Sequence, residues 1–373
     1  MTRRPSDADS GTSASAPIQR PAVRSPRLII LLLAVLLGTA QSAPAATPQP
    51  RIVNGVNAAP GAWPAQASVR VNVGGGFTAD CGGTLVSARW VLTAAHCIHD
   101  DDTFAIFAST SFLPVRIGAI SRFSGGAERT VAAVHRHPSF SQAPDGVPNY
   151  DVALLQLSAK VPADVEPMPM IGTDPSQVPF WSPGTAATVV GWGDTETGSD
   201  SDTQLKQGQV PIVADSNCGW AGLFDAASML CAGRLQVDTC SGDSGGPIAV
   251  PRSGAFTLIG VTSWGTDPCA TPGVAGVYAR LGAPAIGGWV RGLVPAIAFT
   301  TSPATPRPGS SVTFTAAPGP AGGTPAITWD TDGDGAFDDG TGTSVSRVFA
   351  AAGTYPVAAR AEYPGPDDRA ATG

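Results

Sequence analysis

This chain is short of several things at once. Its 373 residues contain four histidines (His96, His99, His135 and His137) and two lysines (Lys160 and Lys206). Any chemistry that needs an imidazole therefore has few candidates, while the shortage of lysine beside arginine reads as coding bias and not as function. No Cys-x-x-Cys pair and no His/Cys spacing of the zinc-binding kind occurs, so the six cysteines argue for disulfides rather than metal ligation. Basic charge is also scarce. The first 51 residues hold six basic and two acidic side chains, which leaves 16 basic against 27 acidic from Ile52 onward, a formal charge of −11. Such a chain is a poor partner for nucleic acid or an anionic membrane. Finally, no apolar run is long. The longest, Leu28–Leu37, falls short of the roughly 20 residues that span a bilayer. It follows Arg20, Arg24 and Arg27 and precedes small residues through Ala46, which is the layout of an export signal. Cleavage after Ala40, Ser42 or Ala45 would each satisfy the small-residue rule, and a retained anchor is the alternative. Arg3-Arg4 lies too far from the apolar run for a twin-arginine signal. We expect residues 1–46 to be a signal peptide, and the mature protein to be secreted and extracellular, with no membrane segment.

What is present is a serine in a run of glycines, Thr239-Cys240-Ser241-Gly242-Asp243-Ser244-Gly245-Gly246-Pro247. Attack by a serine on an acyl carbon puts negative charge on an oxygen, and glycines let backbone N–H groups converge on it. A Gly/Ser-rich turn is the bland alternative. Serine also needs a base, usually a histidine held by a carboxylate. His96 ends the apolar stretch Trp90-Val91-Leu92-Thr93-Ala94-Ala95, and Asp151 opens another, Val152-Ala153-Leu154-Leu155. Alone, each would read as a core or turn residue. With Ser244 they read as a nucleophile, its base and an orienting acid.

The order His96, Asp151, Ser244 with these flanks resembles the trypsin/chymotrypsin family of serine endopeptidases. The resemblance also rests on Arg51-Ile52-Val53-Asn54-Gly55, Cys81-Gly82-Gly83-Thr84-Leu85-Val86, Gly191-Trp192-Gly193, Ser263-Trp264-Gly265 and Gly276-Val277-Tyr278-Ala279-Arg280. It runs from about Ile52 to Leu293. Chain order separates it from the subtilisin-like and α/β-hydrolase versions of the same three residues. The resemblance implies an oxyanion hole from the N–H groups of Gly242 and Ser244, and a hydrogen bond from Ser263 to Asp151; an ordinary strand serine is the alternative for Ser263. It implies that Asp238 floors a pocket for Arg or Lys, with Gly265 and Gly276 keeping the walls open. It implies disulfides Cys81–Cys97, Cys218–Cys231 and Cys240–Cys269, where counting alone allows fifteen pairings. It also implies a zymogen with propeptide 47–51, cut between Arg51 and Ile52, whose new amino group pairs with Asp243. No cofactor is required. Three features depart from the family pattern. Ala275 stands where proline or an aromatic is usual, Thr266-Asp267-Pro268 makes its segment one residue longer, and no acidic calcium loop lies between Phe104 and Glu128.

Short apolar runs at Ala65–Val73, Thr84–Leu92, Val152–Leu157, Ala187–Val190 and Phe256–Val261, separated by Gly, Pro, Asn and Asp, indicate an all-β domain. The resemblance sharpens this to two six-stranded antiparallel β-barrels over 52–294, with the site in the cleft between them. A helix is predicted near Pro284–Leu293 from Ile286, Trp289, Val290 and Leu293, although Gly287-Gly288 weakens it. Residues 295–302 read as a linker. Residues 303–373 read as a small immunoglobulin-like β-sandwich resembling a PKD module, through Trp329-Asp330, Gly333-Asp334-Gly335 and a strand start at Gly353-Thr354-Tyr355. One more strand is expected beyond Gly373, which would leave the module incomplete. Asp330, Asp332 and Asp334 alternate like the opening of a calcium loop, but no glutamate closes it, so a calcium site and a solvated acidic turn both stand.

The leading reading is a secreted trypsin-like endopeptidase acting on protein or peptide substrates. Protein inhibitors and a polymer or surface held by the C-terminal module are further partners. A peptidase without basic specificity, and a binding protein on a protease scaffold, are the alternatives. The intact triad and the Arg51-Ile52 bond count against the latter.

Overall fold

A computed structural model of the chain describes residues 52–74, 77–98, 113–142, 146–194, 204–233, 237–252, 254–294, 297–318, 324–334, 336–363 and 369–372. The signal peptide 1–46, the propeptide 47–51 with Arg51, and His99 lie outside these residues.

The chain forms two antiparallel sheets and then a small C-terminal region. The first sheet runs, edge to edge, Ala127–Arg129, Val115–Ile117, Gln66–Gly74, Phe77–Ser87, Trp90–Thr93, Ala153–Leu157, Val131–Arg136. The run read as one strand, Thr84–Leu92, is in fact two strands folded back at Ala88-Arg89, with Ser87 opposite Trp90. Val69, Leu85, Val91 and Leu155, which share one face of the sheet, are all fully buried, which is what holds the layers together. Among the described residues no ladder closes this sheet. Yet Thr130 alone separates the strands at its two edges, so the sheet must roll until those edges approach.

The second sheet closes completely. Lys206–Val213 pairs with Ala186–Gly191 on one side and with Met229–Gly233 on the other. Through Pro247–Arg252, Ala255–Trp264 and Ala275–Arg280 the circuit has six strands and leaves no free edge between them. The short strand Val56–Asn57 adds on at Lys206 and Gln207. The all-β fold class and the pair of barrels expected from the sequence thus take the form of one closed barrel and one curled half-barrel. All three expected disulfides are present, with Cα atoms 6.3, 5.7 and 5.6 Å apart in chain order, inside the usual bridging range.

Helix α1, Pro284–Leu293, begins with proline, whose missing N–H costs nothing there. Gly287, which weakens the sequence signal, faces the Leu281 carbonyl so closely that a Cβ would collide with it.

Beyond α1 lie two small sheets. One runs Ile297–Ser302, Ser311–Pro318, Ser344–Val348; the other runs Gly340–Thr341, Ala326–Asp330, Ala358–Tyr363, Arg369–Thr372. Their own core gathers Ile297, Val312, Phe314, Ile327, Ala359 and Ala361 around Trp329, whose Nε1 donates to the Gly342 carbonyl at 2.9 Å. Two expectations are corrected here. Residues 297–302, read as linker, form a strand because Ile297 enters this core. Gly353–Val357 is not a strand: Pro356 cannot donate to a ladder, and Tyr355 turns back onto Phe349, with ring centres 4.4 Å apart, so the strand begins at Ala358.

Candidate active site

The strand Trp90–Thr93 is buried along its whole length, and Ala94 and Ala95 continue it without exposure. His96 then opens a single 3₁₀ turn, His96–Ile98, locked by the Cys97–Cys81 bridge to the neighbouring strand. Asp151 arrives from the other side on a tight turn, in which Val152 N–H donates to the Tyr150 carbonyl at 2.8 Å. Tyr150 itself has φ +50°, uncommon for a bulky residue, and its N–H donates to Asn149 Oδ1 at 2.8 Å. Asp151 is 2% exposed and accepts three hydrogen bonds: His96 Nδ1–H at 2.7 Å, His96 backbone N–H at 2.9 Å and Ser263 Oγ–H at 2.5 Å. Burial alone would raise this carboxyl. The charge of His96 and the three donors outweigh it and hold Asp151 below the ordinary carboxylate range. With Nδ1–H given to the carboxylate, Nε2 lies 3.8 Å from Cys97 Sγ.

Ser244 lies on a loop seated by backbone contacts on the strands that lead to His96. Gly242 and Gly245 have φ +92° and +82°, a region L residues rarely adopt. A Cβ on Gly245 would run into Thr93 Oγ1 and the Gly82 carbonyl, so the loop lies directly on the strand that leads to His96. Gly82 N–H donates to the Ser244 carbonyl at 2.7 Å, and a Cβ there would stand 2.7 Å from Gly246 Cα. Within the loop Asp243, Gly245 and Gly246 give their N–H groups to the carbonyls of Cys240, Thr262 and Asp243. Among the described residues no acceptor takes the N–H of Gly242 or of Ser244. Ser244 is half-buried.

Asp243 is fully buried. Its carboxylate accepts from Gly193 N–H at 2.7 Å and Cys240 N–H at 3.0 Å. A Cβ on Gly191 or Gly193 would overlap that carboxylate, which explains the Gly-Trp-Gly motif sterically. Burial, aided by the negative charges of Asp194 and Asp238, pushes Asp243 up to about 7 in spite of its two donors. In the continuous chain Ile52 is itself fully buried, against Gly208.

Asp238, 3% exposed, accepts from Thr239 N–H at 2.8 Å and Ala270 N–H at 3.3 Å. Burial raises it to about 6. A Cβ on Gly276 would stand 2.8 Å from Asp238 Oδ1, whereas one on Gly265 would meet only Gly276 Cα, at 3.9 Å. Gly276 is thus needed for room beside the acid. Ala275, which departs from the family pattern, is buried; its carbonyl accepts from Trp220 Nε1–H at 2.7 Å and it packs with Trp220 and Trp264. The sequence reading missed Gly82, Thr93, Ala270 and Tyr150. The first could have been suspected from the paired glycines after Cys81; the others carry no local signal.

Two groups of metal-ligand types converge. Cys81, His96 and Cys97 do so only because the two sulfurs form a disulfide, which leaves no thiolate to bind metal. The carboxylates of Asp330, Asp332 and Asp334 also converge. Each takes a backbone N–H from just downstream: Gly333 to Asp330 at 2.7 Å, Asp334 to Asp332 at 3.2 Å and Ala336 to Asp334 at 2.8 Å. Hard carboxylate oxygens clustered this way suit calcium, and the same geometry also serves as a self-capped acidic turn.

Comparison with known proteins agrees with this geometry. The sequence profile of the trypsin family matches residues 52–286. A trypsin of Saccharopolyspora erythraea is 38% identical over 208 residues, covering 54% of this chain and 82% of that protein. Transmembrane protease serine 5 of Homo sapiens is 37% identical over 241 residues, 62% of this chain and 49% of that protein. None of these similarities names a PKD-like module for the C-terminal sheets.

Proposed function

Because the chain belongs to the trypsin family of serine peptidases, an endopeptidase family acting on proteins, we propose that His96, Asp151 and Ser244 carry the hydrolysis and that cleavage follows Arg or Lys. The observation that carries the reading is the His96 ring anchored by Asp151, which Ser263 also holds, beside a Ser244 loop seated on the strand that leads to His96.

His96 Nε2 takes the Ser244 proton as Oγ attacks the carbonyl carbon, and Asp151 stabilises the imidazolium that forms. The N–H groups of Gly242 and Ser244 receive the oxyanion; one such donor is typically worth about 10²–10³ in rate. His96 then returns the proton to the leaving amine, and water repeats the sequence on the acyl-enzyme.

Specificity comes from Asp238. A buried carboxylate held, among the described residues, by two backbone donors and no cation is costly, and a substrate guanidinium or ammonium repairs that deficit. Asp243 suits the same logic one step earlier. Cleavage at Arg51-Ile52 would create an ammonium on Ile52, a side chain already buried, to pair with Asp243 and order the loop. Arg51 fits the proposed pocket, so self-activation is expected. Export by residues 1–46 suits the three disulfides, which persist in oxidising compartments. Among the described residues no helix is long and apolar enough to cross a membrane. The C-terminal sheets, PKD-like in their motifs, serve attachment to a polymer or surface, with calcium held by Asp330, Asp332 and Asp334.

A peptide series varied at the residue before the scissile bond, run on the activated protein with Ser244→Ala as control, tests this reading. Rapid cleavage after Arg and Lys supports it. Equal rates after Phe and Arg exclude the basic specificity, and turnover by Ser244→Ala excludes the nucleophile.

A further inference from the structure

We propose that His137 is a positioning residue for hydrolysis: it clamps Tyr150 and so fixes the turn that aims Asp151 at His96. The inference rests on the reading of Asp151 as the carboxylate that orients His96.

His137 follows the strand Val131–Arg136 and is 5% exposed. Its ring stacks on Tyr150, centres 5.1 Å apart and planes 14° from parallel, while Trp289 of helix α1 meets it edge-on at 4.9 Å. Both nitrogens are committed. Nδ1 accepts Ser139 N–H at 3.1 Å, and Nε2 lies 3.2 Å from the Ala285 carbonyl, which can only accept. The proton therefore sits on Nε2, and a single neutral tautomer satisfies both contacts. Burial, the larger influence, keeps the imidazole below its ordinary pKa against the opposing pull of the Ala285 bond.

The backbone of His137 adds a second grip, since its N–H donates to the Val152 carbonyl at 3.1 Å. His137 thus holds both neighbours of Asp151, Tyr150 through its ring and Val152 through its backbone. Tyr150 needs such support because its φ of +50° is unfavourable for an aromatic residue. Phenylalanine would pack equally well here. What histidine adds is two directional bonds that set the plane of the ring, hence the plane of Tyr150, and tie that plane to the first turn of α1.

The test compares His137→Ala, His137→Phe and Tyr150→Ala with the activated full chain on one peptide substrate, reading kcat, KM, the pH profile of kcat/KM and Tm. For His137→Ala we expect kcat to fall about tenfold with KM held within about twofold, as misplacement of a reacting group predicts. The acid limb should move to lower pH by roughly half a unit, because a poorly held Asp151 supports the His96 cation less. His137→Phe, which keeps the ring stack, should recover part of both effects. A lowered Tm with unchanged kcat and acid limb would reduce His137 to packing and overturn the proposal. Should His137→Ala not fold, the other two variants carry the same readouts, and an unmoved acid limb in both overturns it equally. Asp151→Asn separates the two levels. Undiminished kcat there removes the site reading and this one with it, whereas collapse there beside unaltered His137 variants removes this one alone.

Discussion

Asp151 and Asp243 are both carboxylates shut away from water, yet they lie on opposite sides of the ordinary acid range. Asp151 comes from the curled sheet and meets an imidazole and a hydroxyl supplied by the fold. Asp243 comes from the closed barrel, as does Asp238, and among the described residues each accepts from two backbone donors. Burial is nearly the same; compensation is not. One half of the site has its carboxylate compensated by the fold, and the other holds two carboxylates that burial raises. On our reading those carboxylates pair with cations in turn, the Ile52 ammonium and then the substrate.

The strongest break in this contrast is removal of the nucleophile. Ser244→Ala should lower kcat by about 10⁴-fold or more with substrate binding nearly intact, read by single-turnover kinetics and by loss of fluorophosphonate labelling.

Next comes the pH dependence of stability. A carboxyl whose folded pKa lies above its unfolded value favours folding at low pH, and that contribution disappears as pH rises through the folded pKa. For Asp243, with 3.8 unfolded and about 7 folded, the window runs from about pH 4 to 7 and is worth up to about 4 kcal/mol in the uncleaved chain. Asp238 pulls the same way in both forms, so the difference between forms isolates Asp243. Urea midpoints at pH 5 and 8, on a Ser244→Ala background, should fall steeply for uncleaved protein and much less after cleavage at Arg51-Ile52. Parallel slopes would mean that the new ammonium does not reach Asp243.

Asp238→Ser should cost Arg substrates roughly 10²–10³ in kcat/KM, the scale of breaking a buried charge pair. Without mutation, KM for Arg substrates should rise about tenfold per pH unit below about 6, where Asp238 takes up a proton. Neutral substrates should not show this limb, and its appearance for both classes would assign it to another group. The smallest effect is expected from ending the chain at residue 294: kcat/KM on a short peptide should stay within about twofold, since the C-terminal sheets carry a core of their own.

Much of the site was legible because its chemistry is written in rare residues. Four histidines and one Gly-Asp-Ser-Gly-Gly run leave little freedom, and Ser263, Asp238 and the three disulfides followed from the family's motifs. What could not be read were contacts between residues distant in sequence. Thr93 and Gly82 look like ordinary strand residues until Gly245 is laid on them, and Tyr150 gives no hint of its left-handed backbone. The strand at 297–302 went unseen because Thr300, Thr301 and Ser302 carry no apolar signal; the core that recruits Ile297 is assembled from residues beyond 311. Conversely, Gly353–Val357 looked extended by composition, and a proline kept it out of the ladder.

Thr130 has a further consequence, and it concerns how the chain finds its fold. The two edge strands of the first sheet are separated by the width of that sheet in pairing order but by one residue in sequence. Most rolled sheets must bring distant ends together and lose chain entropy in doing so. Here the ends are tied from the moment of synthesis, so rolling carries no loop-closure cost, and the slow step in forming this half falls instead on the long-range pairing of Ala153–Leu157 with Trp90–Thr93.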